Sequence, residues 1–435
     1  MAKLFLGRPI YSIQDRLNAT NNRPSGFDYL RIVLAVCVVL WHVPFLIWGR
    51  FDGPNMSWLN PVAFSIVPLF FALSGFLVAG SVDRSQTIVM FLGLRALRIA
   101  PALIVEILLS ALILGPLLTT LTLKDYFSSN EFHLYFLNLT GYIHYYLPGV
   151  FKANKHAFVN GQLWTVPYEL VIYFVLSCLA AIGLYRRKSF LLLVVGLYYA
   201  AQVVNTILRG TVFVTGFPTG TGVTMAFVSG LMIYRHRDQI AFSKGLFALA
   251  VLLTLTLLSV QGGSRFVALP VAYVAVYLGL LNPPRNRLLL SGDYSYGVYL
   301  YAFPMQQALI VISPIFSIWY WHALTALICS FVVAVCSWWL IEKPALAQRD
   351  RIKVIEARWL KLRNTLGVRF RIFFRQSELQ GRTFRAVAPL LRIPPPVEVL
   401  NQLPDVAAKH VTPRPVKTST EVTNVVAGSH DHRLE

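Results

Sequence analysis

FDYLRIVLAVCVVLWHVPFLIW, residues 27–48, reads as a helix that crosses a membrane. The apolar run Leu30–Trp48 approaches the roughly 20 residues that a helix needs to span the hydrocarbon core. Two ionisable side chains interrupt it, Arg31 near its start and His42 towards its far end. Eleven positions make about three helical turns, so the two share one face, roughly 16 Å apart along the axis. An ionisable residue inside a span is costly to place there and points to function by default. A fixed cation at one mouth and a titratable base deeper in suit an enzyme that binds an anionic donor from one side. Its second substrate would then come from the other side.

The rest of the chain agrees with that class. Of its 435 residues, 56% are hydrophobic and only 13% charged. A soluble domain carries about twice that charged fraction. The formal charge of +20 sits in loops between apolar runs and in the last stretch of the chain. That placement fits positive-inside loops and an anionic membrane surface, not nucleic acid. Residues Met1–Gly26 are mixed and polar, so the first span is expected to act as an uncleaved anchor. Cys37, Cys178, Cys329 and Cys336 all fall inside apolar runs. Neither a disulfide framework nor a metal site is expected from that placement.

The predicted fold is all-α and polytopic, with about ten transmembrane helices. The expected spans are Leu30–Trp48, Pro61–Val82, Ile99–Leu121, Leu163–Leu184, Phe190–Leu208, Gly216–Tyr234, Leu246–Gln261, Phe266–Leu281, Tyr294–Ser313 and Ile318–Ile341. Charge sets their direction. One set of loops holds Arg84, Arg95 and Arg98, then Arg186, Arg187 and Lys188, then Arg235, Arg237 and Lys244, then Arg285 and Arg287. The alternate connections are poorer in cations, which predicts that both termini are cytoplasmic. The domain reading is a cytoplasmic segment 1–27, a transmembrane domain 28–344 and a basic, partly disordered tail 345–435.

Two segments stand apart. Thr122–Gln162, expected outside, is rich in aromatics, among them Tyr126, Phe132, Tyr135 and Tyr145. Long connections of this kind are usually functional or disordered. This one is too aromatic for simple disorder and is expected to lie partly in the interface. It could stack on sugar rings or merely form an aromatic belt. In the tail, Trp359–Phe374 (WLKLRNTLGVRFRIFF) mixes basic and apolar residues as an interfacial helix does, and Pro394–Pro396 and Pro413–Pro415 mark an extended end.

Arg95 and Arg98, spaced i, i+3, share a helical face at the inner start of the third run. Either they only set topology, or they grip phosphates bidentately. Together with Arg31 they would form an inner mouth suited to the phosphates of coenzyme A. Glu169, in LWTVPYELVIYF, lies about 10 Å inside the fourth span from its outer end, close to the depth of His42. A His42–Glu169 contact is therefore feasible, the carboxylate fixing the imidazole tautomer. The bland alternative for each is a polar contact between helices.

Other polar residues are weaker signals. Ser74-Gly75 reads first as a helix-packing notch. Glu106 is expected either to pair with an arginine or to bond a neighbouring helix. Asp293 is expected as a helix N-cap. Trp164, Tyr168, Tyr299 and Tyr301 could line a cavity or sit in the belt.

In order along 27–344, the segments FDYLRIVLAVCVVLWH, VPLFFALSGFL, LRALRIAPAL, NGQLWTVPYEL, DYSYGVYLYAFPMQQ and SWWLIEKPAL resemble those of the acyltransferase-3 family. Its members are integral membrane enzymes that acylate cell-surface and secreted carbohydrates. The resemblance implies about ten spans and an acyl-CoA donor, acetyl-CoA first, bound from the cytoplasm. It implies His42 as the essential base, Arg31, Arg95 and Arg98 as donor-site residues, and Glu169 as a further functional residue. The implied partners are membrane lipids and a carbohydrate acceptor such as an exopolysaccharide, an O-antigen or a lipid-linked oligosaccharide. The implied place is a bacterial inner membrane. One departure stands out: the ninth-span motif often carries His where this chain has Ala302. The competing reading from residues alone is a proton-coupled transporter of a lipid-linked glycan, with Arg31, His42 and Glu169 as its relay.

Overall fold

The computed structural model describes residues 4–5, 8–9, 11–51, 57–85, 87–209, 218–286 and 291–378. Each expected apolar run coincides with a helix. They are α1 Gly26–Trp48, α2 Asn60–Arg84, α3 Ile88–Leu109, α4 Val166–Ala181, α5 Lys188–Arg209, α6 Gly220–Arg235, α7 Lys244–Ser259, α8 Ala268–Gly279, α9 Ser295–Ile312 and α10 Trp319–Ser337. Local chemistry sets several ends. The hydroxyls of Thr87, Thr219 and Ser243 accept from the backbone N–H of Met90, Gly222 and Leu246 at the starts of α3, α6 and α7, satisfying donors that have no partner inside the helix. Gly49 stops α1 in the left-handed region, at φ 75°, where the absence of Cβ removes the penalty.

Among the described residues, six helical stretches are long and apolar enough to cross a membrane: Gly26–Trp48, Ser57–Arg84, Ile88–Leu118, Gly161–Ala181, Lys188–Leu208 and Trp319–Leu362. Helices α6 to α8 are shorter, at 16, 16 and 12 residues. The surface confirms the class. Only 11% of the apolar window in Lys188–Leu208 is buried, leaving Leu193, Leu197, Val204, Ile207 and Leu208 exposed. A continuous apolar face of that extent has no place in water. The chain is an integral membrane protein.

Small residues let the helices meet. A Cβ on Gly75 of α2 would lie 2.1 Å from the Phe227 carbonyl oxygen of α6, and one on Gly230 of α6 would lie 2.1 Å from the Ala72 oxygen of α2. Lipid is as apolar as a buried leucine, so close backbone approach of this kind, not hydrophobic transfer, drives association in a membrane. The expected packing role of the Ser74-Gly75 notch is therefore met by Gly75.

The segment 122–162 is folded. It contains helices Leu123–Ser128 and Asn130–Tyr135 and a 3-10 turn Phe136–Thr140. Tyr126 and Tyr135 are fully buried, and the Tyr126 hydroxyl donates to the Ala111 carbonyl at 2.7 Å. Tyr126, Phe132 and Tyr135 are thus core residues, whereas Phe127, Tyr142 and Tyr146 stay exposed.

A long helix, α11 Arg349–Glu378, follows α10. Near its start, Glu356 accepts a hydrogen bond from the Thr87 hydroxyl and Ile352 covers Gly93 of α3. The chain divides into two compact units, Met1–Leu360 and Lys361–Glu435, and α1 to α10 belong to the first. Arg287, Pro394–Pro396 and Pro413–Pro415 lie outside the described residues.

Candidate active site

Arg31 of α1, Arg95 and Arg98 of α3 and Glu169 of α4 line one cavity. Their convergence follows from the helix register. Arg95 and Arg98 project from one face of α3, and Arg31 stands one turn inside α1. Ser74 of α2, Tyr173 of α4 and Tyr296 and Tyr299 of α9 complete the walls. His42 lines a second cavity, with Trp41, Phe45, Phe51, Tyr145, Phe158, Trp164 and Phe303. The histidine cavity is the roomier, about 310 Å³ against about 160 Å³, so the base stands beside the larger of the two spaces.

The arginines are unequally engaged. Arg31 donates to Asp293 Oδ2 at 3.1 Å, and Arg98 donates to the same oxygen at 2.7 Å. Arg98 also donates to Glu342 Oε2 at 2.8 Å and lies over the Tyr296 ring. Asp293 stands just ahead of α9. Burial by itself would raise its carboxyl, but Arg98 and Arg31 outweigh that and hold it down to about 2. Arg95 has no carboxylate partner among the described residues. It donates to Ser81 Oγ at 3.3 Å, lies over the Tyr173 ring, and its Nε is buried without a partner. It is the guanidinium with most capacity left for an anion.

The expected contact between His42 and Glu169 is absent. The Glu169 carboxylate accepts from the Tyr173 hydroxyl one turn along α4. His42 Nδ1 is buried without a hydrogen-bond partner, and its ring meets Phe303 edge-on, with centroids 5.0 Å apart. Equal depth along two helices does not fix the azimuth at which their side chains point. Glu169 is turned towards the arginines instead.

Asp293 is not the N-cap of α9. That position is Tyr294, which makes no side-chain cap bond. The Asp293 carboxylate bridges two arginines and accepts from Ser295 Oγ at 2.7 Å. Glu106 neither pairs with an arginine nor crosses to another helix by a hydrogen bond. It accepts from Ser110 Oγ on its own helix at 2.8 Å. Glu342, which carried no predicted role, is almost wholly buried. A lone carboxylate directly at the end of the final apolar run was the signal for it. Tyr299 and Trp164 do line cavities, whereas the Tyr301 hydroxyl lies within hydrogen-bonding distance of Ser337 Oγ, at 3.1 Å.

Around His42 the aromatics form a parallel stack. Trp41 faces Phe51 at 5.9 Å, Phe51 faces Phe45 at 4.4 Å, Phe45 faces His156 at 3.9 Å and His156 faces Phe158 at 5.7 Å, all within 12° of parallel. The 122–162 segment thus supplies two of its five rings, His156 and Phe158. The Gln307 side chain of α9 pins these two by donating to the His156 and Phe158 carbonyls at 2.7 Å each.

A family model described as an acyltransferase domain matches residues 25–343. The chain belongs to the acyltransferase-3 family. It is similar to Nodulation protein 10 of Rhizobium leguminosarum bv. viciae, 31% identical over 371 residues that cover 77% of this chain and 98% of the relative. It is also similar to the O-acetyl transferase of Shigella phage Sf6, 24% identical over 348 residues, covering 75% of this chain and 97% of that protein. A shorter likeness joins it to Nodulation protein NolL of Mesorhizobium japonicum, 35% identical over 71 residues, or 15% of this chain and 18% of the relative. No solved structure matches. As a member of the acyltransferase-3 family the protein is a membrane acyltransferase. Its departure from the family pattern, Ala302, is buried in a cluster with Ala35, Val39, Val298 and Ala334 and lines neither cavity.

Proposed function

We propose that the protein moves an acyl group, acetyl first, from acyl-CoA to a hydroxyl of a cell-surface or secreted carbohydrate. The observation that carries this reading is the end-to-end arrangement of the two cavities along α1, α2 and α9. One is lined by three guanidiniums and the other by an imidazole. In this reading about ten helices cross the bacterial inner membrane, with both termini and the arginine cavity on the cytoplasmic side. The cation-rich loops support that direction. Arg95 is the first contact for the donor's phosphates. Arg31 and Arg98 join it as Asp293 and Glu342 release or share them. Glu169 belongs to this donor end and balances the cationic charge there.

The chemistry is a single displacement. The acceptor hydroxyl oxygen attacks the thioester carbonyl carbon while His42 takes its proton. The carbon–sulfur bond breaks, and the departing thiolate takes the proton back from the imidazolium. A carbohydrate ester and a free thiol result. The aromatic stack gives sugar rings a flat apolar surface. The printed name of the phage relative, O-acetyl transferase, favours acetyl as the group transferred.

Purified protein incubated with acetyl-CoA and a carbohydrate acceptor fraction should release CoA thiol in proportion to acceptor. Mass spectrometry of surface glycans from a deletion strain should show the matching loss of acyl mass. No thiol release with any acyl-CoA would remove the proposal.

A further inference from the structure

We propose that Val67 is the side chain that limits the size of acyl group carried from the arginine cavity to the histidine cavity. The inference rests on the acyl-CoA reading above and adds a specificity determinant to it. Among the described residues, Val67 alone lines both cavities.

The boundary at Val67 is also marked on the neighbouring elements. On α9, Leu300 faces the arginine cavity and Phe303, one turn on, faces the histidine cavity. In the turn that leads into α4, Thr165 faces the first and Trp164 the second. On α2, Phe70 lies on the arginine side and Phe64 on the other, with Val67 between them at helical spacing. The two spaces are thus halves of one path, divided at a single level. Rings frame the division, with Phe70 against Tyr299 on one side and Phe303 against His42 on the other.

Two properties make Val67 a fixed restriction and not a soft one. A β-branched side chain in a helix keeps one strongly preferred rotamer. The helix that carries it is held against α6 through Gly75 and Gly230, where backbone meets backbone. Arg31 and His42 stand roughly 16 Å apart along α1. A thioester anchored by its phosphates at the arginine end must therefore bring its carbonyl past Val67 to come within reach of the base. The chain beyond the carbonyl passes the same point first. Every carbon of the acyl chain thus has to pass the two γ-methyls of Val67 before the carbonyl does, and a bulkier chain passes less readily.

The test compares acetyl-, propionyl- and butyryl-CoA by thiol release with purified full-length protein and acceptor. Val67→Ala should raise the butyryl-to-acetyl ratio of kcat/KM at least tenfold. Val67→Ile, which adds one methyl group, should lower the propionyl-to-acetyl ratio while still binding acetyl-CoA in calorimetry without acceptor. Ratios unchanged in both variants, with acetyl transfer intact, overturn the role of Val67 and leave the proposed function standing. No thiol release by the unaltered protein from any of the three donors removes both.

Discussion

The two cavities lie end to end on the same helices, yet their chemistry is opposite. The arginine cavity is dense in charge, and two of its three guanidiniums are already committed: Asp293 takes Arg31 and Arg98, and Glu342 takes Arg98 as well. The histidine cavity holds one imidazole and the Tyr145 phenol among rings, and the Nδ1 of the imidazole is unpartnered. The first resembles a site built to hold an anion by exchanging one set of ion pairs for another. The second leaves one imidazole nitrogen without a protein partner. Ionic order at one end and an unengaged base at the other divide binding from chemistry.

The sharpest way to break this contrast is at His42. His42→Ala should lower acyl transfer by about 10³-fold, within the range ascribed to general-base catalysis, while donor affinity stays within about twofold of the unaltered protein. Thiol release and calorimetry with acetyl-CoA read the two quantities separately. A comparable loss of donor binding would show that the cavities do not divide the work. Next in size is Arg98→Met, which strips Glu342 of its partner. Removing one member of a buried pair costs about 3–5 kcal/mol. Arg98 and Asp293 retain 22% and 28% side-chain exposure, so about 3 kcal/mol or less is expected here, read as a lower midpoint of thermal unfolding in detergent. Arg98→Met combined with Glu342→Gln should recover part of that loss.

The smallest effect sharpens the contrast from the histidine side. A Cβ on Gly161 would sit 2.6 Å from the Phe303 ring, the same ring that meets His42. Gly161→Ala should push that ring and lower kcat by about tenfold, since misplacement by a fraction of an ångström already weakens a reacting geometry. Donor binding should not change. A rise in donor dissociation constant without a fall in kcat would contradict the assignment of Phe303 to the base.

Much of the fold was legible because lipid enforces a simple rule. Backbone groups must be satisfied within the helix, so apolar length translates directly into helices, and every run from Leu30–Trp48 to Ile318–Ile341 produced one. The ends were less legible. The third run begins at Ile88, well before Ile99, because the Thr87 hydroxyl caps it and Arg95 and Arg98 lie within the helix, not ahead of it. The grouping of Arg31, Arg95 and Arg98 was readable from spacing and position in the sequence. Their carboxylate partners were not, because Asp293 and Glu342 lie about two hundred residues or more from Arg98 and only packing brings them together. The Glu169 error has a related cause. Depth can be counted along a helix, but the direction in which a side chain leaves that helix towards another cannot. The burial of Tyr126 and Tyr135 within 122–162 was not legible, because aromatic composition describes an interface and a small core equally well.

The pairing of α2 with α6 has one more consequence. At Gly75 and at Gly230 each helix rests on the other's carbonyl groups, leaving no side-chain layer between them to act as a bearing. A carrier works by rocking one bundle against another around a central site, and a seam of this kind resists such rocking. The wall shared by both cavities therefore behaves as a stator. Such a wall suits a membrane acyltransferase better than a machine that ferries a whole glycan.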